Sequence, residues 1–144
     1  ELVQDHKFKN QSIGALLKLF LIACNNSCNQ PQENHSTEQG NYILKAFKAL
    51  VDERFKQEHS TSFYANELHI STDHLNRVVK SLIGKTAKDY IQSRISMAAK
   101  RMLYFSDLSN KEIGFELGFH EPAHFSAFFK KCTGLTPTQF KQNR

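Results

Sequence analysis

Apolar positions in this 144-residue chain recur with helical spacing over most of its length. In NYILKAFKALVDERF (41–55), Ile43, Leu44, Phe47, Leu50, Val51 and Phe55 follow the i, i+3, i+4, i+7 rule and predict an amphipathic helix. An earlier stretch, QSIGALLKLFLIAC (11–24), reads as a largely apolar helix. The polar segment 25–40, with Pro31 and Gly40, reads as a linker. No alternating strand pattern stands out, so the expected fold class is all-α.

A repeat at an offset of 50 residues organises the rest. HLNRVVKSLIGKTAKDYIQ (74–92) aligns with HFSAFFKKCTGLTPTQFKQ (124–142), with identities at His74/His124, Lys80/Lys130, Gly84/Gly134, Thr86/Thr136 and Gln92/Gln142. Apolar positions match as well: Leu75/Phe125, Val78/Phe128, Val79/Phe129, Leu82/Cys132 and Tyr90/Phe140. Each set makes one buried stripe on a helix of about three turns. Gly84 and Gly134 fall where such a helix needs a left-handed end.

Upstream of each stripe lies a second short helix. SFYANELHI turns Ala65 and Leu68 inward and is followed by a tight turn at His69-Ile70-Ser71, with Ser71 placed to cap the next helix. NKEIGFELGF turns Ile113 and Leu117 inward and bends at Gly118-Phe119; the small residues Ala65 and Gly114 stand where two helices must approach closely. The pattern is a helix-turn-helix, found twice, at about 61–83 and about 110–132. Between the copies, residues 86–105 predict one long helix of about 30 Å. That length suits the roughly 34 Å between successive major-groove faces of DNA. The architecture expected is two helix-turn-helix subdomains joined by a long helix and preceded by a short N-terminal helical segment.

Charge agrees with a polyanionic partner. Residues 1–40 carry a net −1, whereas residues 41–144 hold sixteen Lys/Arg against ten Asp/Glu, a net +6. Cys24, Cys28 and Cys132 form no framework: an odd count without a CxxC pair fits a reduced, cytoplasmic protein.

A helical wheel centred on Leu75 turns Asp73, Arg77 and Lys80 outward, with His74 and Asn76 at the flanks; Thr72 completes the first candidate set. Arg77 can make two hydrogen bonds to guanine and Asn76 two to adenine, while Asp73 can accept from cytosine. Lys80 suits a phosphate. The second wheel turns Ala123, Ala127 and Lys130 outward, flanked by His124 and Ser126; His120, Glu121 and Lys131 complete that set. Alanine can touch a thymine methyl but discriminates weakly. Base reading is therefore expected from the first unit and anchoring from the second.

Two motifs point elsewhere and are set aside. HEPAH (120–124) matches HExxH, but Pro122 belongs in the first turn of a helix, which leaves His120 in the turn and His124 inside the helix. The two histidines then do not share a face, and no metal is expected. LIAC (21–24) resembles a lipoprotein cleavage box, yet the apolar run is broken by Lys18 and is too short to span a membrane. A packing or dimerising helix is the reading there. No nucleophile–base pair, phosphate-cradling loop or perturbed carboxylate pair suggests an enzyme, and no cofactor is expected. The rival reading is a helical protein-interaction module that keeps the fold without binding DNA.

Residues 41–144 closely resemble the DNA-binding domain of the AraC/XylS family of bacterial regulators. The resemblance is strongest in IGFELGFHEPAHFSAFFKKCTGLTPTQFK and extends to ANELHISTDHLNRVVKSLIGKTAKDYI and SRISMAAKRML. It implies a seven-helix domain that binds double-stranded promoter DNA, often as a homodimer, and usually activates transcription through RNA polymerase. It also implies an N-terminal effector or dimerisation domain, of which residues 1–24 read as the last helices, with any small-molecule effector acting there. Ala127 stands where many relatives have Arg, and Pro122 and Ala123 replace polar readers.

Overall fold

The computed structural model describes residues 32–143, and its regular structure consists of seven helices with no strand among the described residues. They are α1 (Gln32–Arg54), α2 (Thr61–Glu67), α3 (Thr72–Ile83), α4 (Ala87–Phe105), α5 (Asn110–Glu116), α6 (Pro122–Thr133) and α7 (Pro137–Gln142). The helices α2 and α3 form one helix-turn-helix and α5 and α6 the other, with α4 between them. The helical segment expected in residues 1–24, and residues 25–31 of the expected linker, lie outside the described residues.

The remainder of that segment is helical. Residues 32–40 belong to α1, and Gly40, read as a breaker, is a buried position inside the helix. Glycine costs a helix interior about 1 kcal/mol relative to alanine. Here its bare face lies toward α3, where a Cβ would stand 3.8 Å from Leu82 and 3.9 Å from Val78. At Gly40 itself, the approach to α3 favours the helix over the turn that a glycine suggests.

The 50-residue repeat reappears as a repeat of burial. Leu75 and Phe125, Val79 and Phe129, and Ala87 and Pro137 are all fully buried or nearly so, and Tyr90 and Phe140 are partly buried in both copies. Gly84 (φ 72°) and Gly134 (φ 80°) end α3 and α6 in the left-handed conformation. Thr86 and Thr136 then start α4 and α7 with capping boxes closed by Asp89 and Gln139. A third box, Ser109 with Glu112, starts α5.

The turns of the two units share one construction. Ile70 N–H reaches back to Ala65 O at 3.0 Å and Phe119 N–H to Gly114 O at 2.9 Å, closing the last turns of α2 and α5. The left-handed residue is His69 (φ 56°) in the first and Gly118 (φ 83°) in the second. Close helix approach is real at Gly114, where an added Cβ would lie 3.1 Å from Cβ of Phe125.

Helix α4 is more than a spacer. Ala87, Ile91, Ile95, Ser96, Ala99 and Leu103 are buried along it, and it packs against α2 and α3 on one side of the repeat and α5, α6 and α7 on the other. Each large apolar side chain so buried contributes about 1.5–3 kcal/mol, so both units draw their cores from this one helix. Phe47 joins α1 to that core through Tyr64 and Tyr90, with ring centroids 5.8 and 5.5 Å away.

Candidate nucleic-acid interface

In α3 the Ser71 hydroxyl accepts the His74 N–H at 3.1 Å, which fixes the first turn. Leu75 and Val79 point into the core. The opposite face then presents Asp73, Arg77, Lys80 and Ser81 to solvent, with Thr72 and His74 half-buried beside them. Asp73 in the first turn and Lys80 in the last both complement the helix dipole. Arg77 and Lys80 make no ion pair with any described residue.

Asn76, expected to read adenine, makes a contact within the domain. Its Oδ1 accepts the backbone N–H of Ala87 at 3.1 Å, at the start of α4. An amide N–H can only be met by the oxygen, so the orientation is unambiguous. Bidentate reading of adenine needs the oxygen and the nitrogen together. In this arrangement the oxygen is committed to the start of α4.

The second unit presents a different surface. Glu121 is the extended residue before α6 (φ −126°, ψ 133°) and makes no side-chain cap, and Pro122 opens the helix. His120 lies in the turn and His124 inside the helix, so the two histidines of HEPAH stand on different elements. With Phe125 and Phe129 buried, the outward positions are Ala123, His124, Ala127, Lys130 and Lys131, with Ser126 half-buried. Both lysines fall in the last turn. This face holds charge but few groups able to tell bases apart.

Two lysines escaped the periodicity argument. Lys85 and Lys88 flank the Thr86 cap between α3 and α4, are exposed, and act electrostatically on Asp89. They occupy neither helical stripe; the signal that could have found them is their position beside the repeated Gly-x-Thr. The Asp89 carboxyl is held below the usual carboxylate range, first by the Thr86 hydroxyl and then by the Thr86 N–H, with Lys88 and Lys85 adding to this. Partial burial pushes the Cys132 thiol up, against the pull of Lys131 and Lys100. No helix among the described residues is long and apolar enough to cross a membrane.

Known proteins match this arrangement. The family model described as a helix-turn-helix domain matches residues 64–143. The transcriptional regulatory protein YesN of Bacillus subtilis is 33% identical over 105 residues, covering 71% of this chain and 28% of that protein. The transcriptional activator RhaS of Escherichia coli is 25% identical over 128 residues, covering 89% of this chain and 44% of that protein. The chain therefore spans less than half the length of these curated relatives. Among solved structures, the C-terminal domain of a two-component response regulator, yesN, from Fusobacterium nucleatum superposes with a TM-score of 0.64 at 26% identity, covering 67% of this chain and 95% of that one.

Proposed function

The chain belongs to the AraC/XylS family of helix-turn-helix, DNA-binding transcription regulators, and on that premise we propose that it grips promoter DNA with α3 and α6 in successive major grooves of one duplex face. The observation that carries this reading is the duplicated unit on a shared spine. Two outward helical faces, repeating at the same 50-residue offset, are joined by the nineteen residues of α4. At 1.5 Å per residue α4 is about 28 Å long, close to the roughly 34 Å repeat of the major groove.

The two faces have unequal roles in this proposal. Asp73 and Arg77, with His74 and Thr72 beside them, read bases, and Lys80 holds phosphate. Ala123, His124, Ser126 and Ala127 fit the groove wall, while His120, Lys130 and Lys131 supply grip near the backbone. Glu121, the one acid in that set, accepts from a cytosine amine or keeps phosphate from the turn. Activation through RNA polymerase is the regulatory outcome proposed, following RhaS, which is named a transcriptional activator. Dimerisation is assigned to the apolar segment 11–24, and effector response to a region N-terminal to the DNA-binding unit, in the cytoplasm.

Selection from a random-sequence duplex pool, followed by footprinting, tests the reading. Two protected half-sites centred about one helical turn apart are expected, with affinity falling steeply as salt rises. Equal, weak retention of every sequence would sink it in favour of a protein-interaction module.

A further inference from the structure

The segment leading into the first helix-turn-helix unit touches the second unit at a place that α4 does not supply. The loop between α1 and α2 (residues 55–60) lies against the turn of the second unit. His59 Nε2 donates to the carbonyl oxygen of Leu117 at 2.8 Å, and its ring stacks at 4.9 Å, tilted, on Phe119. A Cβ built on Gly118 would overlap the carbonyl oxygen of Lys56 and stand 3.3 Å from His59 Nε2. Gly118 is therefore required twice, by its positive φ of 83° and by a backbone pressed against it.

Both sides of this contact are braced. On the loop side, Tyr64 OH donates to Glu58 O at 2.7 Å. Arg94 of α4 pairs with Asp52 and lies 5.2 Å from the ring centroid of Phe55. On the other side, Phe119 packs on Phe125 at 5.5 Å and on Phe128 at 5.2 Å, both on recognition helix α6. A displacement of the loop is thus passed through Phe119 to α6. Both units pack on α4, and the loop-to-turn contact adds a second constraint between the two halves that α4 does not supply.

We propose that this loop-to-turn contact is the lock that sets the angle and spacing of α3 relative to α6, making His59 and Gly118 positioning residues for recognition of a two-part DNA site. The inference rests on the two-groove reading above, and one arm of its test is independent of DNA. Spin labels at Asp73→Cys and Ala123→Cys, in the 144-residue chain with Cys24, Cys28 and Cys132 replaced by Ser, report the distance between the recognition helices. A narrow distribution is expected for the parent and a broader one for His59→Ala and Gly118→Ala, with helix content retained. Should Gly118→Ala not fold, His59→Ala decides. In the second arm, duplexes selected by the parent chain are rebuilt with one base pair inserted between half-sites, a rotation of roughly 35°. The parent should reject the insertion, whereas His59→Ala should lose about tenfold in affinity at the native spacing and discriminate less against the altered one. An unchanged distance distribution and an unchanged spacing optimum in folded His59→Ala overturn the lock. Failure of the parent to select any two-part site overturns the two-groove reading instead, and the spin-label arm still decides the lock.

Discussion

Asn76 Oδ1 accepts the N–H of Ala87 at 3.1 Å, tying the middle of the first recognition helix to the first residue of α4. Fifty residues on, the equivalent pair is Ser126 and Pro137, and proline has no N–H to satisfy. The two copies meet the same demand at a helix start in two ways. One supplies an acceptor and the other removes the donor.

Asn76→Ser should therefore destabilise the domain by about 1–2 kcal/mol, because a partly buried donor loses its partner. Adding Ala87→Pro should restore most of that loss. Thr86 already has the extended backbone that precedes proline (φ −72°, ψ 158°), matching Thr136 (φ −71°, ψ 156°). Chemical denaturation of the single and double variants checks this; additive losses would show that the copies are not interchangeable here.

His69 holds the left-handed conformation that Gly118 holds in the other unit. Its exposed side chain makes no hydrogen bond or ion pair with a described residue that would offset the strain of about 1 kcal/mol. His69→Gly should raise stability by up to about 1 kcal/mol, visible as a higher Tm. A lower Tm would mean that chain entropy outweighs the relieved strain.

On DNA, Arg77→Ala is expected to cost roughly 1–3 kcal/mol and to relax preference at one base position. Lys130→Ala should weaken all sequences alike and reduce the salt slope by about one. Titrations against selected and mismatched duplexes at several salt concentrations distinguish the two patterns. The division of labour fails if Lys130→Ala, and not Arg77→Ala, relaxes sequence preference.

Acid sensitivity should come from two of the three capping boxes. Thr86 holds the Asp89 carboxyl below its ordinary range through its hydroxyl and then its N–H, and Ser109 holds Glu112 down through its N–H and then its hydroxyl. Both folded-state pKa values are depressed, so the stabilisation is complete above the unfolded carboxylate range of about 4 and is lost as pH falls through the folded values. The box that starts α7 uses neutral Gln139 and has no such dependence. Thermal melts from pH 6 to pH 2.5 should show a smaller fall in Tm for Asp89→Asn with Glu112→Gln than for the parent chain.

Much of this protein was legible in its residues alone. The stripe spacing of Leu75, Val79, Phe125 and Phe129, the glycines that end α3 and α6, and the cap at Ser71 are local signals, each acting within one or two helical turns. They suffice for an all-α fold with two helix-turn-helix units and a long helix between them. Local signals also misled. Gly40 and its polar neighbours look like a linker because the side chains beside Gly40, Val78 and Leu82, are about forty residues away. Nor does anything near Asn76 in sequence mark the Ala87 N–H as its partner. The contact of Lys56 and His59 with the turn at Leu117 and Gly118 carries even less trace, since its two sides lie 58 residues apart between His59 and Leu117 and share no periodic pattern. Helix identity and outward faces follow from periodicity. Which outward groups remain available for DNA, and how the two units are held together, follow only from which distant backbone atoms meet.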